Sequence, residues 1–223
     1  MFRRTPWVTI ALAGLVCVAA FEPLAQVLQF DRSALHRGEL WRWGTAHLTH
    51  FDRSHLTWDL MVFILLSGVI ERRDCIRLVV TILAAALAVS AAVWWGQPHL
   101  ASYRGLSGID SALFGCLAGV LLCGHSRPGR LTGAFALAAF GVKCWAELQS
   151  GAPIFATAGH YETVPIAHLT GLIVGVTVAC VPTRKAAPTD TVTVSRCHGS
   201  DLETPPPSPS AHSFPVRATR SHY

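Results

Sequence analysis

Three polar side chains with the chemistry of acyl transfer lie near the beginnings of three separate apolar stretches. They are His55, Ser107 and His168. A serine hydroxyl becomes a nucleophile when an imidazole accepts its proton, and a further donor near the reacting carbonyl stabilises the oxyanion. These residue types fit a serine hydrolase if the fold brings the three segments together.

Ser107 is preceded by Gly105-Leu106 and followed by Gly108. Glycines on both sides leave the hydroxyl uncrowded and let a substrate backbone approach. A helix that begins here offers free backbone N–H groups to an oxyanion. Serine is also a common helix cap, so the motif taken alone is better explained as an ordinary helix start.

Small residues recur after Ser107 and around His168 at helical spacing. The first stripe is Ser111, Gly115 and Gly119, and the second follows His168 with Gly171 and Gly175. Such stripes let two membrane helices approach closely. If the two stripes pack together, the Ser107 hydroxyl and the His168 imidazole come within hydrogen-bond reach.

The composition predicts a membrane protein. Of 223 residues, 51% are hydrophobic and 14% are charged, against about 25% charged in soluble domains. Mean hydropathy is +0.40, which excludes disorder for most of the chain. The arginines lie in short runs between apolar blocks, as loop charges of a membrane protein do, so we expect no nucleic-acid partner.

Six apolar stretches approach the roughly 20 residues that cross a bilayer: 7–28, 55–71, 76–97, 105–124, 131–149 and 163–182. The predicted fold is therefore an all-α bundle of six transmembrane helices. Its first loop, over 29–54, is long and contains Trp41 and Trp43, which suit a membrane interface. The first stretch resembles a signal peptide, but five more follow it, so we interpret it as an anchor.

Basic residues predict the orientation. With the N-terminus inside, nine lie on the inner side and five on the outer side, which favours a cytoplasmic N-terminus. His55, Ser107 and His168 then share a layer near the outer face, within roughly 8 Å in depth. We expect a membrane domain over 1–183 and a disordered tail over 184–223, rich in Thr, Ser and Pro.

A metal site is one alternative. His47, His50, His55 and Asp59 lie close in sequence, and imidazole with carboxylate suits zinc or iron. The segment lacks the glutamate of a His-Glu-x-x-His motif, and a metal site leaves Ser107 unexplained. A transporter would predict repeats or broken helices, which the sequence does not suggest.

The seven cysteines include no CxxC pair, so neither a zinc ribbon nor a redox motif is predicted. Five of them lie inside apolar stretches, where we expect a free cysteine to pack as a small hydrophobe: Cys17, Cys116, Cys123, Cys144 and Cys180.

Five motifs, in order over about residues 38–182, resemble the rhomboid intramembrane serine proteases: Trp41-Arg42, the run 50–59, Glu71-Arg72-Arg73, Gly105-Leu106-Ser107-Gly108 and the run 168–175. The segment Arg-Gly-Glu-Leu-Trp-Arg at 37–42 further resembles the rhombosortase branch. That branch is expected to cleave C-terminal sorting tails of exported proteins, which carry a Gly-Gly signal and a transmembrane segment.

The resemblance implies roles for individual residues. Ser107 would be the nucleophile and His168 the general base, in a dyad without a third acidic residue. His55 and the Ser107 N–H would bind the oxyanion together with Asp59, where the family commonly has Asn. An ionised Asp59 cannot donate, so it either donates as a neutral acid or orients His55. Ser111 replaces a tyrosine that stacks on the histidine in many rhomboids.

The resemblance implies no cofactor, a membrane-anchored protein substrate within the lipid bilayer, and a bacterial inner membrane. The chief alternative is an inactive rhomboid relative that binds membrane clients. From spacing alone, Lys143 and Glu147 satisfy each other at i,i+4. Asp110, three residues after Ser107, is expected to face the site and to pair with Lys143 or with a histidine.

Overall fold

Helices make up most of the chain in the computed structural model, which describes residues 5–150 and 164–182. The α-helices of this part are α1 (Trp7–Ala19), α2 (Glu22–Leu28), α3 (Arg32–His36), α4 (Arg42–Thr45), α5 (Arg53–Arg73), α6 (Cys75–Gly96), α7 (Ser107–Leu122), α8 (Arg127–Ser150) and α9 (Pro165–Cys180). A 3-10 turn covers Ala46–Leu48, and two short strands are β1 (Phe30–Asp31) and β2 (Ser102–Tyr103). The tail expected over 184–223 lies outside the described residues.

Within the described ranges, α5, α6 and α8 are long and apolar enough to cross a membrane. Helices α7 and α9 are apolar but shorter, with 16 residues each. The first apolar stretch is not one straight span, because α1 and α2 meet at 107°. The chain is extended at Phe21, and Pro23 in the first turn of α2 starts a new helix rather than continuing the old one.

Aspartates begin three of the helices. Asp31, Asp52 and Asp74 each accept a hydrogen bond from the backbone N–H three residues later, at 2.8 to 2.9 Å. Asp and Asn are among the best residues at this position because they satisfy an N–H that has no partner in the helix. Asp74 is the single residue between α5 and α6, so it ends one helix and caps the next.

Two polar contacts place several helix ends on one face of the bundle. The Glu71 carboxylate at the end of α5 accepts hydrogen bonds from the Val8 and Thr9 N–H groups at the start of α1. Arg77 at the start of α6 donates to Ala179 O at the end of α9, at 2.9 Å. The beginning of α9 therefore lies toward the opposite face, because α9 ends at this one.

The first loop is folded rather than open. β1 pairs antiparallel with β2, with Phe30 opposite Tyr103. Arg42 is 7% exposed and donates to the Gln29 carbonyl at 2.8 Å and to the Glu39 carboxylate. These bonds tie the loop to the end of α2 and to the segment that leads into α7.

Helices α7 and α9 pack with their backbones in contact. A Cβ atom added at Gly115 would lie 2.6 Å from Leu172 O, and one at Gly175 would overlap Ala112 O. One at Gly171 would overlap the Gly108 carbonyl. The two stripes of small residues therefore form the contact on which the hydrolase hypothesis depends.

Candidate active site

Ser107 and His168 meet across the α7–α9 contact. Ser107 is the first residue of α7, and His168 lies in the first turn of α9. The distance from His168 Nε2 to Ser107 Oγ is 3.2 Å, which is within reach of a hydrogen bond. A neutral imidazole at this distance can accept the hydroxyl proton.

The segment before Ser107 has a conformation that requires glycine. Gly105 has φ +137°, and a Cβ atom there would lie 3.0 Å from His55 Cε1. The Asp110 N–H bonds to Leu106 O, so the N–H groups of Ser107 and Gly108 precede the first backbone bond of the helix. Such groups bind negative charge, and here they belong to the serine itself and to the residue that follows it.

The Asp59 carboxylate is surrounded by donors. Its Oδ2 atom accepts a hydrogen bond from the Leu106 N–H at 3.1 Å. The same oxygen is 3.2 Å from His50 Nε2 and 3.2 Å from His55 Nε2. Of the two roles that the sequence left open for Asp59, this arrangement favours the one in which it orients His55 as an acceptor.

Glu147 makes a contact that sequence analysis missed. As the i,i+4 spacing predicts, Lys143 Nζ donates to Glu147 Oε2 at 2.9 Å. The same oxygen also lies 3.1 Å from His168 Nδ1. Spacing within α8 could not reveal a contact with another helix. The available signal was an acid inside an apolar span, since such residues are rare and commonly functional.

Of the other polar residues near Ser107, Ser111 and Tyr103 donate to backbone carbonyls. Ser111 occupies the position expected for a stacking tyrosine, and its hydroxyl donates to Ser107 O at 2.7 Å. The Tyr103 hydroxyl donates to Gly105 O at 3.4 Å, and burial raises the pKa of that hydroxyl. Asp110 is buried, and its Oδ1 atom has no hydrogen-bond partner among the described residues. Lys143 contacts Glu147 rather than Asp110.

The four residues of the metal alternative do not form one cluster. The side chain of His47 turns away, with Nε2 3.0 Å from Ala86 O and Nδ1 3.3 Å from Gly105 O. Both ring nitrogens face backbone carbonyls because the ring lies between α6 and the segment before α7. Burial lowers the pKa of His47, so the ring is neutral at pH 7.

Two groups of possible metal ligands remain in the described ranges: His50 with His55 and Asp59, and Cys144 with Glu147 and His168. Within each group the ligand atoms lie within 4.8 Å of one another. In both groups the carboxylate oxygen already accepts a hydrogen bond, from the Leu106 N–H in the first and from the Lys143 ammonium in the second. A donor hydrogen at the ligand oxygen disfavours a cation there.

The cysteines divide between the interior and the surface. Cys116 and Cys144 are buried, as expected for packing residues. Cys17, Cys123 and Cys180 are exposed, so the prediction that they are packing residues is wrong. They lie in or directly after apolar helices, beside hydrophobic residues that are also exposed, such as Val18, Leu122 and Val181, so an apolar sequence there does not indicate burial. The Sγ atoms of Cys123 and Cys180 are 3.5 Å apart.

Comparison with known proteins gives one consistent result. Residues 37–185 match the model of the Rhomboid domain. The chain is 30% identical over 160 residues to the rhomboid protease GlpG of Yersinia pestis (strain Pestoides F), covering 68% of this chain and 51% of that protein. It is 29% identical over the same length to GlpG of Yersinia enterocolitica serotype O:8 / biotype 1B. The chain thus spans about half the length of the curated relatives it matches.

Proposed function

Because this chain belongs to the rhomboid family, we propose that it is an intramembrane serine endopeptidase in which Ser107 is the nucleophile and His168 the general base. The observation that supports this most directly is the 3.2 Å distance between Ser107 Oγ and His168 Nε2. The two side chains belong to helices whose backbones touch, so their separation is fixed by packing rather than by flexible loops.

The reaction proceeds in two acyl-transfer steps. Ser107 Oγ attacks the scissile carbonyl carbon while its proton passes to His168 Nε2. The tetrahedral intermediate collapses, the C–N bond breaks, and the leaving amine takes the proton from His168. Water then attacks the acyl-enzyme with His168 again as base, which releases the new carboxyl terminus and regenerates the serine.

The oxyanion is stabilised by the beginning of α7 together with His55, which donates to Asp59 and to the oxyanion at once when both of its ring nitrogens carry a proton. The Ser107 N–H precedes the first backbone hydrogen bond of the helix, and the helix dipole favours negative charge at this end. Asp59 orients His55 and holds the Leu106 N–H at 3.1 Å, which fixes the loop that presents Ser107. In this proposal Asp59 contributes to the oxyanion site through its neighbours.

The chain is a multi-pass membrane protein, and we assign it six crossings: the bent pair α1–α2 and helices α5 to α9. The N-terminus faces the cytoplasm of a bacterium, and the site lies near the periplasmic face of the inner membrane. The arginines at the end of α5 and the start of α6 support this orientation. Sixteen residues make α7 about 24 Å long, shorter than the roughly 30 Å bilayer core, which recesses Ser107 below the surface.

The substrate we propose is an exported protein held in the membrane by a C-terminal sorting tail, cleaved within or next to its transmembrane segment. The segment 37–42 supports this choice through its similarity to the rhombosortase branch. In the fold this segment forms a turn in which Gly38 has φ +94°. There Glu39 pairs with both Arg37 and Arg42. Residues 1–183 form the membrane domain in this proposal, and 184–223 a disordered tail.

Cleavage of a reporter in proteoliposomes tests the proposal. The reporter carries a C-terminal Gly-Gly signal and a transmembrane segment, and a second reporter lacks the Gly-Gly signal. We expect Ser107→Ala and His168→Ala to abolish cleavage. Ser67→Ala is the matched control, because Ser67 is buried in α5 and donates only to its own helix, at Phe63 O.

Each outcome has a distinct meaning. Cleavage by Ser107→Ala at the wild-type rate would contradict the serine mechanism. Equal cleavage of both reporters would retain the protease and remove the sorting-tail substrate. A folded wild-type protein that binds the reporter without cleaving it would favour the inactive relative.

A further inference from the structure

The His168 imidazole is engaged at both of its ring nitrogens. Nε2 faces Ser107 Oγ at 3.2 Å, and Nδ1 faces Glu147 Oε2 at 3.1 Å. The Ser107 hydroxyl, the His168 imidazole and the Glu147 carboxylate therefore form a continuous chain of hydrogen-bond contacts across α7, α9 and α8. Glu147 is 1% exposed, so its carboxylate is not available to bulk solvent and its contacts decide its state.

We infer that Glu147 is a positioning residue that completes a Ser107–His168–Glu147 relay, in place of the dyad implied by the family resemblance. This inference rests on the proposed function of Ser107 and His168. A carboxylate on Nδ1 holds the imidazole in the tautomer with a proton on Nδ1, which leaves the Nε2 lone pair free for the serine proton. It also stabilises the imidazolium that forms during attack.

Lys143 shows why the carboxylate is needed on this side of the ring. Its ammonium donates to Glu147 Oε2 at 2.9 Å and lies 3.5 Å from His168 Nδ1. An ammonium facing Nδ1 alone would donate to that nitrogen and leave the proton on Nε2, where it blocks attack. The closer carboxylate, at 3.1 Å, instead accepts a hydrogen bond from the Nδ1–H group. Lys143 in turn neutralises a buried carboxylate that would otherwise be costly in the membrane.

The relay also accounts for the absence of the stacking tyrosine. Ser111 is too short to pack on the imidazole, and its hydroxyl is bonded to Ser107 O. The orientation of His168 is then set by hydrogen bonding on Nδ1 rather than by an aromatic face. The other titratable group in this cluster is Cys144, whose Sγ lies within 4.8 Å of the Glu147 and His168 ligand atoms.

The test compares Glu147→Gln, Glu147→Asp and the double variant Lys143→Met/Glu147→Gln in the reporter assay, with kcat and KM measured separately. We expect Glu147→Gln to lower kcat on the order of 10² to 10⁴-fold with little change in KM. Glu147→Asp should recover part of the loss. Spectra of 15N-histidine-labelled protein, with His168→Ala to assign the signal, should show the His168 proton on Nδ1 in the wild type and moved to Nε2 in Glu147→Gln.

The double variant separates the relay from a simple ion pair. If Glu147 only pairs with Lys143, replacing both with neutral groups restores wild-type kcat, and the relay is overturned. Under the relay, the double variant folds, as shown by gel filtration and its Tm, but its kcat stays at least tenfold low. If Glu147→Gln keeps the wild-type kcat while Ser107→Ala is inactive, the relay is overturned and the proposed function stands. If Ser107→Ala is active, the proposed function is overturned as well. Stoichiometric zinc that is lost in Glu147→Gln would instead assign Cys144, Glu147 and His168 to a metal.

Discussion

Replacing Asp59 with asparagine tests the role of the carboxylate beside the active site. Asparagine is the residue common in the family at this position, and it has an N–H₂ group that can donate to an oxyanion. If donation were its role here, Asp59→Asn would raise activity. The structure gives the opposite expectation, because Asp59 Oδ2 faces the Leu106 N–H and the His50 and His55 Nε2 atoms, at 3.1 to 3.2 Å.

The magnitude follows from these three contacts. A hydrogen bond to a charged acceptor contributes about 1.5 to 3 kcal/mol, against about 0.5 to 1.5 kcal/mol for a neutral one. Loss of the charge at a site that is 9% exposed therefore costs about 1 kcal/mol per contact, and about 3 kcal/mol for all three. Because the Leu106 N–H anchors the loop before Ser107, we also expect kcat/KM to fall roughly tenfold, which corresponds to about 1.4 kcal/mol.

The assay is unfolding in mixed micelles of dodecyl maltoside and dodecyl sulfate, followed by far-UV circular dichroism, together with reporter cleavage. Asp31→Asn is the matched control, since Asp31 caps α3 through one backbone N–H and one hydroxyl, and Asn caps helices about as well as Asp. Its unfolding free energy should change by only a few tenths of a kcal/mol. An Asp59→Asn protein that is as stable as the wild type and cleaves faster would refute the orienting role.

Three further predictions concern packing, helix register and pH. Gly175→Val should lower the free energy of unfolding by about 2 kcal/mol and abolish cleavage, because its side chain enters the α7–α9 contact; Gly141→Val, in open space on α8, should retain activity. Copper-phenanthroline should join Cys123 to Cys180, whose Sγ atoms are 3.5 Å apart, and tryptic mass spectra lacking that linked peptide would contradict the register. Burial lowers the pKa of His47 in the folded protein. Below the usual histidine pKa of about 6.5, the unfolded chain therefore gains a proton at His47 that the folded protein does not. The free energy of unfolding is unaffected by this group above pH 6.5 and falls by up to about 1.4 kcal/mol per pH unit below it. His47→Gln should flatten this slope.

The sequence predicted the parts of the site that depend on periodicity along one helix. Gly171 and Gly175 lie on the same face of α9 as His168, and Gly115 lies on the same face of α7 as Ser107. When these two faces pack together, Ser107 and His168 are brought close to each other. The Lys143–Glu147 pair is likewise a local property of one helix, and it is present at 2.9 Å.

The sequence could not predict contacts that depend on how helices and loops turn toward one another. Glu147 lies 21 residues before His168, and nothing in the spacing of α8 indicates that its carboxylate also reaches α9. His47 is separated from His50 by two residues, yet the 3-10 turn at Ala46–Leu48 points its ring into the core. The bend between α1 and α2 is marked by Pro23 alone, within a stretch that is otherwise apolar enough for one span.

Covalent labelling with a fluorophosphonate probe tests whether His168 activates Ser107. Purified wild-type protein in detergent is treated with the probe, digested and examined by mass spectrometry, beside Ser107→Ala and His168→Ala. We expect a single adduct on Ser107 in the wild type and none in either variant. Folded wild-type protein without the adduct, or an adduct that forms at the same rate in His168→Ala, would contradict this expectation.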